Sequence, residues 1–294
     1  MVPLTGKTAV YGIFGDPVAH SLSPVMQNAA FVECCIDAVY VPFHIHPDHL
    51  AAAVASLRAL DIRGVNVTIP HKETILPLLD DIDPDAARIG AVNTIANRSG
   101  HLVGYNTDCS GFLRSARDDL GLNAEHQQAL ILGAGGAARA AVHALLSTGI
   151  EQVTVANRSL ARARKLATTM SFDPQRQLLS PVAYGTSGFF QALSGADLIV
   201  NTTSVGLSGE RLDFLPLENI KGSALIFDMI YSEAGTALTK AAAERGLSWV
   251  DGLSLLASQG EDAFFIWTEK RLPPGSMRRF LTQYQQSDKS MGKG

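Results

Sequence analysis

The sequence predicts an α/β protein of two domains, and three observations lead to this fold class. The chain has 294 residues, which is more than one typical domain needs. Short β-branched runs alternate with Ala- and Leu-rich helical patterns along most of its length, as in parallel strands covered by helices. A glycine-rich turn at 133–136 opens a second series of this alternation. That second series has the pattern of a doubly wound sheet.

The first half of the chain contains three predicted strands separated by two predicted helices. The strands are Thr8–Gly15, Ala38–Ile45 and Val65–Ile69. The helices are Pro24–Cys35, opened by Ser23 as N-cap, and Asp48–Leu60. The segment Ala91–Tyr105 interrupts the alternation, because two β-like runs flank Asn97-Arg98-Ser99-Gly100 and predict a hairpin.

The second half repeats the alternation after helix Ser110–Leu120. Its predicted strands are Ala129–Leu132, Gln152–Ala156, Leu198–Asn201, Ala224–Met229 and Leu247–Val250. Its predicted helices are Gly136–Ser147, Leu160–Thr169 and Gly235–Arg245, followed by Leu253–Lys270 and Ser276–Gln285. Because no strand follows the last two helices, we expect them to return to the first domain. The predicted domains are residues 1–107, completed by 253–294, and residues 108–252.

Composition and charge exclude several classes of protein. Apolar residues make up 46% and charged residues 18%, which suits buried cores and argues against disorder. The net charge is −4 and the cations are scattered, so neither nucleic acid nor a membrane surface is expected as a partner. The three cysteines form no CxxC pair, and cysteine and histidine show no zinc-ligand spacing. That spacing gives no reason to expect a metal. With no signal-peptide pattern at the N-terminus, we expect a cytoplasmic location.

The glycine-rich turn has the form strand, GxGxxA, helix. It consists of Gly133, Ala134, Gly135, Gly136, Ala137 and Ala138. The first glycine permits a tight turn, the second lets a pyrophosphate approach the backbone, and the small third residue lets helix and strand pack closely. A glycine-rich turn without a ligand is the alternative reading. The predicted strand before it and helix after it favour a Rossmann-type dinucleotide site.

The next strand ends in a segment that indicates the cofactor. Asn157, Arg158 and Ser159 stand there, with Arg162 one helical turn further on. An NAD enzyme places an acid at this point to hold the ribose hydroxyls, whereas cations suit the 2′-phosphate of NADP. Alternatively, both arginines are solvated residues at a helix start. The position of Arg158 directly after an apolar strand favours NADP.

Polar residues also follow the strands of the first domain, where α/β proteins place ligand groups. Ser21 and Ser23 stand at a helix start, although Ser23 also suits a plain N-cap. Lys72 lies beyond Pro70, where a lysine by itself is usually solvated. Asn93 begins the hairpin. Asp108 lies at the domain junction, where it could instead cap a helix.

Together these segments resemble the shikimate dehydrogenase family, in order over about residues 8–265. The family's motifs are matched by His20–Pro24, Asn66–Lys72, Gly90–Thr94, Asn106–Asp108, Gly133–Ala137, Asn157–Ser159 with Arg162, Asn201–Ser204, Asp228–Tyr231, and Asp251–Leu253 with Gln259. The resemblance implies reversible, NADP-dependent reduction of 3-dehydroshikimate to shikimate in the chorismate pathway of aromatic amino acid biosynthesis. It also implies an active site in the cleft between a substrate domain and an NADP domain.

The resemblance further implies a role for each matched residue. The substrate carboxylate is received by Ser21, Ser23 and Tyr231. The ring hydroxyls are surrounded by Thr68, Lys72, Asn93, Asp108 and Gln259. The nicotinamide region is lined by Met229 and Gly252. The rest of the cofactor is held by Gly133, Ala134, Gly135, Gly136, Ala137, Asn157, Arg158, Ser159 and Arg162.

Oxidation of a secondary alcohol releases a hydride to the cofactor and a proton to the protein. Lys72 and Asp108 are the titratable residues that we expect to handle the proton. Lys72 would act as base in oxidation and as acid in reduction, while Asp108 orients it and binds the same or the adjacent hydroxyl.

Three alternatives to this function remain open on the sequence. The chain could also accept quinate, although quinate-using relatives often favour NAD and Arg158 with Arg162 counts against that. A relative could reduce an aminated or otherwise altered ring with the same pair. An NADP sensor without catalysis is the third, but it would have no reason to keep Lys72 and Asp108. The sequence also leaves a homodimer open.

Overall fold

The computed structural model describes residues 4–170, 178–206, 210, 212–232 and 234–291. The chain packs as two compact units, one of Met1–Gly111 with Leu256–Gly294 and one of Phe112–Leu255. Each unit is built on its own six-stranded sheet, in agreement with the predicted α/β fold class. Within the described ranges, no helix is long and apolar enough to cross a membrane.

The first unit contains a mixed sheet. Its strands are β1 (Ala9–Gly15), β2 (Ala38–His44), β3 (Gly64–Val67), β4 (Asp81–Ile82), β5 (Thr94–Arg98) and β6 (His101–Tyr105). The helices between and after them are α1 (Ser23–Glu33), α2 (Leu50–Ala59), α3 (Pro84–Ile89) and α4 (Thr107–Asp118). The strand order is β2-β1-β3-β5-β6-β4, with β1 parallel to β2 and β3. The predicted hairpin is confirmed as the antiparallel pair β5–β6.

The second unit contains a parallel sheet in the doubly wound order. Its strands are β7 (Gln128–Leu132), β8 (Gln152–Asn157), β9 (Leu179–Ala183), β10 (Leu198–Asn201), β11 (Leu225–Asp228) and β12 (Trp249–Val250). Its helices are α5 (Gly136–Leu146), α6 (Leu160–Met170), α7 (Ser187–Gly195) and α8 (Ala237–Glu244). The strand order β12-β11-β10-β7-β8-β9 reverses direction between β7 and β10. Ligands of doubly wound sheets bind outside the carboxyl ends of the strands at such a reversal.

The last two helices, α9 (Gly252–Thr268) and α10 (Ser276–Met291), return to the first unit as predicted. The indole N–H of Trp267 on α9 donates to the carbonyl of Ile95 on β5, at 2.9 Å. Gly64 on β3 leaves the space that this indole fills, because a Cβ there would lie 2.3 Å from its nitrogen. The amide of Gln27 on α1 donates to the carbonyl of Gly260 on α9, at 3.0 Å.

The structure corrects the sequence-based elements in several places. Ser23 is the first residue of α1 and Leu22 occupies the N-cap position, without a side-chain cap, so the prediction of Ser23 as N-cap was wrong. Helix α4 begins at Thr107 rather than Ser110, which puts Asp108 in its first turn. The prediction omitted four elements: β4, α3, β9 and α7. A proline within β9, Pro181, hides its strand pattern, and β9 is an edge strand, where proline is tolerated.

Substitution of Gly64 by alanine should destabilise the first unit. The new Cβ would displace the Trp267 indole and also lie 2.8 Å from the carbonyl oxygen of Ile95. Overpacking of this kind costs about 1–3 kcal/mol, which thermal denaturation of Gly64→Ala would measure. Gly6→Ala is the control, because a Cβ at Gly6 meets no atom within 4 Å. Equal melting temperatures for the two variants would contradict the prediction.

Candidate active site

Lys72 forms a short, largely buried ion pair in the first unit. Its ammonium donates to Oδ2 of Asp108 at 2.6 Å, and the two side chains are only 16% and 8% exposed. Lys72 follows β3 just beyond the cis peptide Ile69–Pro70, and its carbonyl accepts the N–H of Val92 at 2.8 Å. The main chain that carries the lysine is therefore anchored beside the start of β5.

Asp108 is held from its other side by Asn93. The Asn93 amide donates to Oδ1 of Asp108 at 2.9 Å, and its own oxygen accepts the N–H of Thr107 at 2.7 Å. Asp108 also lies in the first turn of α4, where the helix dipole favours a negative charge. The structure thus brings together three side chains, Lys72, Asn93 and Asp108, that the sequence analysis selected from separate segments.

A chain of buried hydrogen bonds continues behind this cluster. The hydroxyl of Tyr40 donates to Oδ1 of Asn66 at 2.7 Å, and the Asn66 amide donates to the hydroxyl of Thr94 at 3.0 Å. The Thr94 hydroxyl in turn donates to Oδ1 of Asn93 at 3.1 Å. Burial raises the pKa of Tyr40 well above its usual value, and a hydrogen bond with Ser23 opposes that shift. Sequence reasoning missed Tyr40 and Thr94, since nothing in a strand pattern marks an inward polar group.

Two of the three predicted carboxylate-binding hydroxyls, Ser21 and Ser23, follow β1 of the same sheet, and Thr68 follows β3. Ser23 is buried at the start of α1, and its N–H donates to Oγ of Ser21 at 3.2 Å. A Cβ on Gly15 would lie 2.4 Å from the methyl group of Thr68, so the glycine makes room for this side chain. Because β1 and β3 are parallel neighbours, their carboxyl ends lie at the same edge of the sheet. The residues that follow these two strands are therefore close together.

Gln259 joins the cluster from α9. It is 7% exposed, its side-chain oxygen accepts from the Thr107 hydroxyl at 3.4 Å, and its amide donates to the carbonyl of Leu256 at 2.9 Å. Gly111 on α4 permits this approach, since a Cβ there would lie 2.8 Å from the main-chain nitrogen of Gln259. Thr107 is therefore hydrogen-bonded both to Gln259 and to Asn93, and Asp108 follows it directly in α4.

The glycine-rich turn of the second unit has the geometry of a phosphate site. Gly133 has a φ of +111°, and a Cβ on it would lie 2.6 Å from the hydroxyl of Thr202. Gly135 is different, because no atom lies within 4 Å of a Cβ built there. Helix α5 begins at Gly136, so its first N–H groups are available to an anion. Ala134 and Ala137 are half-buried beside this open space.

The segment after β8 presents cations and no carboxylate. Asn157 is the last residue of β8, and its amide donates to the carbonyl of Ser159 at 3.0 Å. The same carbonyl accepts the N–H of Arg162 at 3.1 Å, which shapes the start of α6. Arg158 and Arg162 are both exposed. Guanidinium groups here suit a phosphate ester better than a pair of ribose hydroxyls.

Met229 and Gly252, the predicted nicotinamide residues, are packed against each other in the second unit. A Cβ on Gly252 would lie 2.3 Å from the carbonyl oxygen of Met229, and the Gly252 N–H donates to the carbonyl of Ile230 at 3.0 Å. Tyr231, which is half-buried, follows Ile230 directly. The structure therefore places Tyr231 with the nicotinamide residues in the second unit, and Ser21 and Ser23 in the first.

Comparisons with known proteins agree on one family. The model of the shikimate dehydrogenase substrate binding domain matches residues 13–95, and that of shikimate / quinate 5-dehydrogenase matches residues 114–205. The chain is 49% identical over 278 residues to shikimate dehydrogenase (NADP(+)) of Geobacter sp. (strain M21), covering 95% of this chain and 96% of that protein.

Two solved structures show how the fold is shared among relatives. Shikimate 5-dehydrogenase from Thermus thermophilus, in complex with NADP(H) and shikimate, is 35% identical with a TM-score of 0.82, over 94% of this chain and 99% of that chain. Quinate dehydrogenase from Corynebacterium glutamicum, in complex with NAD, is 28% identical with a TM-score of 0.84, over the same shares.

Two alanine substitutions in the glycine-rich turn should affect different properties, one the affinity for NADP and the other the melting temperature. Gly135→Ala should leave the melting temperature unchanged, because its Cβ meets no protein atom, but should weaken NADP binding by occupying space that a pyrophosphate needs. Gly133→Ala should instead lower the melting temperature, because of the positive φ and the contact with Thr202. Calorimetry would measure both quantities. Unchanged NADP affinity in Gly135→Ala would show that no phosphate binds at this turn.

Proposed function

The chain belongs to the shikimate dehydrogenase family, and we propose that it catalyses the reversible, NADP-dependent reduction of 3-dehydroshikimate to shikimate. The observation that supports this most is the Lys72–Asp108 ion pair, at 2.6 Å, with Asn93 on the second carboxylate oxygen. Asp108 positions the ammonium of Lys72, and Asn93 in turn positions Asp108. A positioned side chain that can donate and accept a proton is what general acid–base catalysis needs. The reaction belongs to the chorismate pathway of aromatic amino acid biosynthesis.

Lys72 handles the proton of the reacting oxygen. In reduction its ammonium donates a proton to the carbonyl oxygen of the substrate, and in oxidation the neutral amine removes the proton from the hydroxyl. One of its three N–H groups is directed to Asp108, which leaves two for the substrate and for solvent. Asp108 fixes the position of the ammonium. Its remaining lone pairs accept a hydrogen bond from the same or the adjacent hydroxyl of the substrate.

The remaining polar residues select the substrate. The hydroxyls of Ser21, Ser23 and Tyr231 bind its carboxylate. Thr68, Asn93 and Gln259 bind the ring hydroxyls, and the hydrogen bonds that already fix Asn93 and Gln259 reduce the entropy lost on binding. A polar site of this kind discriminates strongly against analogues that lack a hydroxyl, because its own groups would then be left unpaired.

NADP fits the residues of the second unit. The open space at Gly135 and the N-terminus of α5 suit the pyrophosphate, and the exposed guanidinium groups of Arg158 and Arg162 suit the 2′-phosphate. We assign the pyrophosphate loop to Gly133, Ala134, Gly135, Gly136 and Ala137, the 2′-phosphate segment to Asn157, Arg158, Ser159 and Arg162, and the nicotinamide lining to Met229 and Gly252. When bound, the reduced cofactor supplies the hydride.

The proposal includes the domain assignment, in which residues 1–107 with 253–294 form the substrate domain and residues 108–252 form the NADP domain, from which Asp108 and Tyr231 also contact the substrate. It also includes a cytoplasmic location and leaves a homodimer open. Quinate is the less favoured substrate. The quinate dehydrogenase relative was solved with NAD, whereas this chain has arginines after β8, where an enzyme that prefers NAD carries an acid.

A spectrophotometric assay of the purified chain tests the activity. Shikimate, quinate and simple alcohols would each be offered with NADP and with NAD. We expect shikimate with NADP to give the highest kcat/KM. A chain that prefers quinate, or that oxidises none of them while binding NADP, would contradict the proposal in favour of a quinate enzyme or a sensor.

Removal of the Lys72 amine should stop proton transfer without preventing binding. Lys72→Ala should lower kcat by about 10²–10⁴-fold, with much smaller changes in KM for shikimate. Asp108→Asn should also be slow, and the double variant should be little worse than Lys72→Ala, because residues that act as one unit are not additive. Steady-state kinetics of the three variants would measure this.

The matched control is Lys7→Ala, since Lys7 is exposed in a turn before β1. Lys7→Ala should retain wild-type kcat. If Lys72→Ala kept more than about a third of the wild-type kcat, Lys72 would not be the proton donor.

Arg158 should determine the preference for NADP. Arg158→Ala should weaken NADP binding by about tenfold to a hundredfold, as expected for loss of a charged hydrogen bond, and should change NAD binding much less. Titration calorimetry with both cofactors would measure the difference. Arg164→Ala, an exposed arginine on α6, is the control. Equal losses for the two cofactors would mean that Arg158 does not bind the 2′-phosphate.

A further inference from the structure

Two fully buried polar side chains meet at the carboxyl ends of β10 and β11. Asn201 ends β10 and Asp228 ends β11, and they are register partners in the parallel pair. Each is 0% exposed, and the Asn201 amide donates to Oδ1 of Asp228 at 3.0 Å. A carboxylate is costly to bury unless donors surround it. The buried carboxylate of Asp228 therefore depends on the hydrogen bonds that it accepts.

Asp228 is surrounded by donors. Besides Asn201, the hydroxyl of Thr236 donates to Oδ2 at 2.6 Å and the N–H of Ile230 donates to Oδ1 at 3.1 Å. Burial raises the pKa of Asp228, the hydrogen bonds from Thr236, Ile230 and Asn201 oppose that rise, and the nearby charge of Asp251 adds to it. One carboxylate thereby fixes the end of β11, the segment after it and, through Thr236, the N-terminus of α8.

Asn201 fixes the corresponding segment after β10. Its side-chain oxygen accepts from the N–H of Thr203 at 3.1 Å and from the Thr203 hydroxyl at 2.8 Å. The adjacent Thr202 donates its hydroxyl to the carbonyl of Leu132 at 2.7 Å, at the point where Gly133 begins the glycine-rich turn. The turn after β10 is thus held by Asn201 on one side and touches the glycine-rich turn on the other.

The same pair reaches the predicted nicotinamide residues. The N–H of Met229 donates to the carbonyl of Asn201 at 2.9 Å, and Gly252 is packed on the Met229 carbonyl. Ile230 is held from both sides, by Asp228 through its N–H and by Gly252 through its carbonyl. Asn201 and Asp228 therefore connect the glycine-rich turn to the residues at the other end of the assigned cofactor site.

We infer that Asn201 and Asp228 are positioning residues, which set where the nicotinamide ring lies by fixing Met229 and Gly252 relative to Gly133. The inference rests on the proposed function for the identity of the cofactor. The pair touches neither substrate nor cofactor and acts only through the backbone that it holds. A displacement of about 1 Å at a reacting centre lowers a rate by about a hundredfold, so small shifts of Met229 have large effects.

The variant that tests this is Asp228→Asn, which keeps the shape but has one acceptor oxygen instead of two, so that either Thr236 or Asn201 with Ile230 loses its acceptor. NADPH should still bind with a Kd within about threefold of wild type, because the phosphate contacts are elsewhere. The fluorescence emission maximum of the bound reduced nicotinamide should shift toward that of free NADPH. Reduction of 3-dehydroshikimate should slow by about 10–100-fold, with a larger primary deuterium isotope effect from NADPH deuterated at the reacting carbon.

Two further variants separate positioning from stability. Thr239→Val removes a capping hydrogen bond of α8 but leaves the Asn201–Asp228 contact, so it should lower the melting temperature without changing emission or isotope effect. The exchange Asn201→Asp/Asp228→Asn restores a carboxylate facing an amide and should recover much of the lost rate. If Asp228→Asn does not fold, Thr236→Val, which removes one donor, takes its place.

The outcomes are distinct. If Asp228→Asn behaves like Thr239→Val, with an altered melting temperature and unchanged emission and isotope effect, the pair only supports the fold and the inference is wrong. If the exchange variant gives no recovery, the Asn–Asp contact is not the cause and the inference also fails. A wild-type chain that binds NADPH but does not reduce 3-dehydroshikimate would contradict the proposed function, while the emission comparison would still decide the inference.

Discussion

A lysine and an aspartate that are largely removed from water must compensate each other's loss of hydration, and the first unit is organised so that they do. Lys72 and Asp108 are 36 residues apart in sequence, on a loop after a strand and on a helix. Asn93 holds the second carboxylate oxygen, and its own oxygen is held by the main chain of α4. Three elements therefore meet at one carboxylate. The loss of any one contact would leave a buried charged or polar group without its partner, which costs more than a contact between neutral groups.

In the second unit, strand order and two glycines determine the shape of the glycine-rich turn. Its strands are parallel, so the loops after them gather at one edge of the sheet, and ligands of doubly wound sheets bind at the reversal of strand order. Gly133 brings the main chain close to Thr202 on one side of that reversal. Gly135 keeps the adjacent space empty. Neighbouring protein atoms thus require a small residue at Gly133, and under the proposed function the pyrophosphate requires one at Gly135.

The sequence predicted the fold class and the strongly patterned elements, because periodicity and glycine placement are local signals. It could not predict β9 from pattern, since Pro181 interrupts the β-like run and only the edge position makes a proline acceptable. It also assigned Ser23 to a cap, although the structure places this hydroxyl beside Tyr40. Lys72 by itself looked like a solvated lysine. Its burial depends on contacts with Asp108 and through it with Asn93, which only tertiary structure brings near and which entered the sequence analysis through the family resemblance.

The chain contains two tryptophans, and they fall in different units and different surroundings. Trp267 is 6% exposed, with its indole bonded to Ile95, whereas Trp249 on β12 is 42% exposed. An indole in an apolar pocket emits at shorter wavelength than one in water. The natural sequence therefore carries a separate optical reporter for each unit. Fluorescence emission recorded at two wavelengths during denaturation would reveal whether the two units lose structure in one cooperative step or in succession.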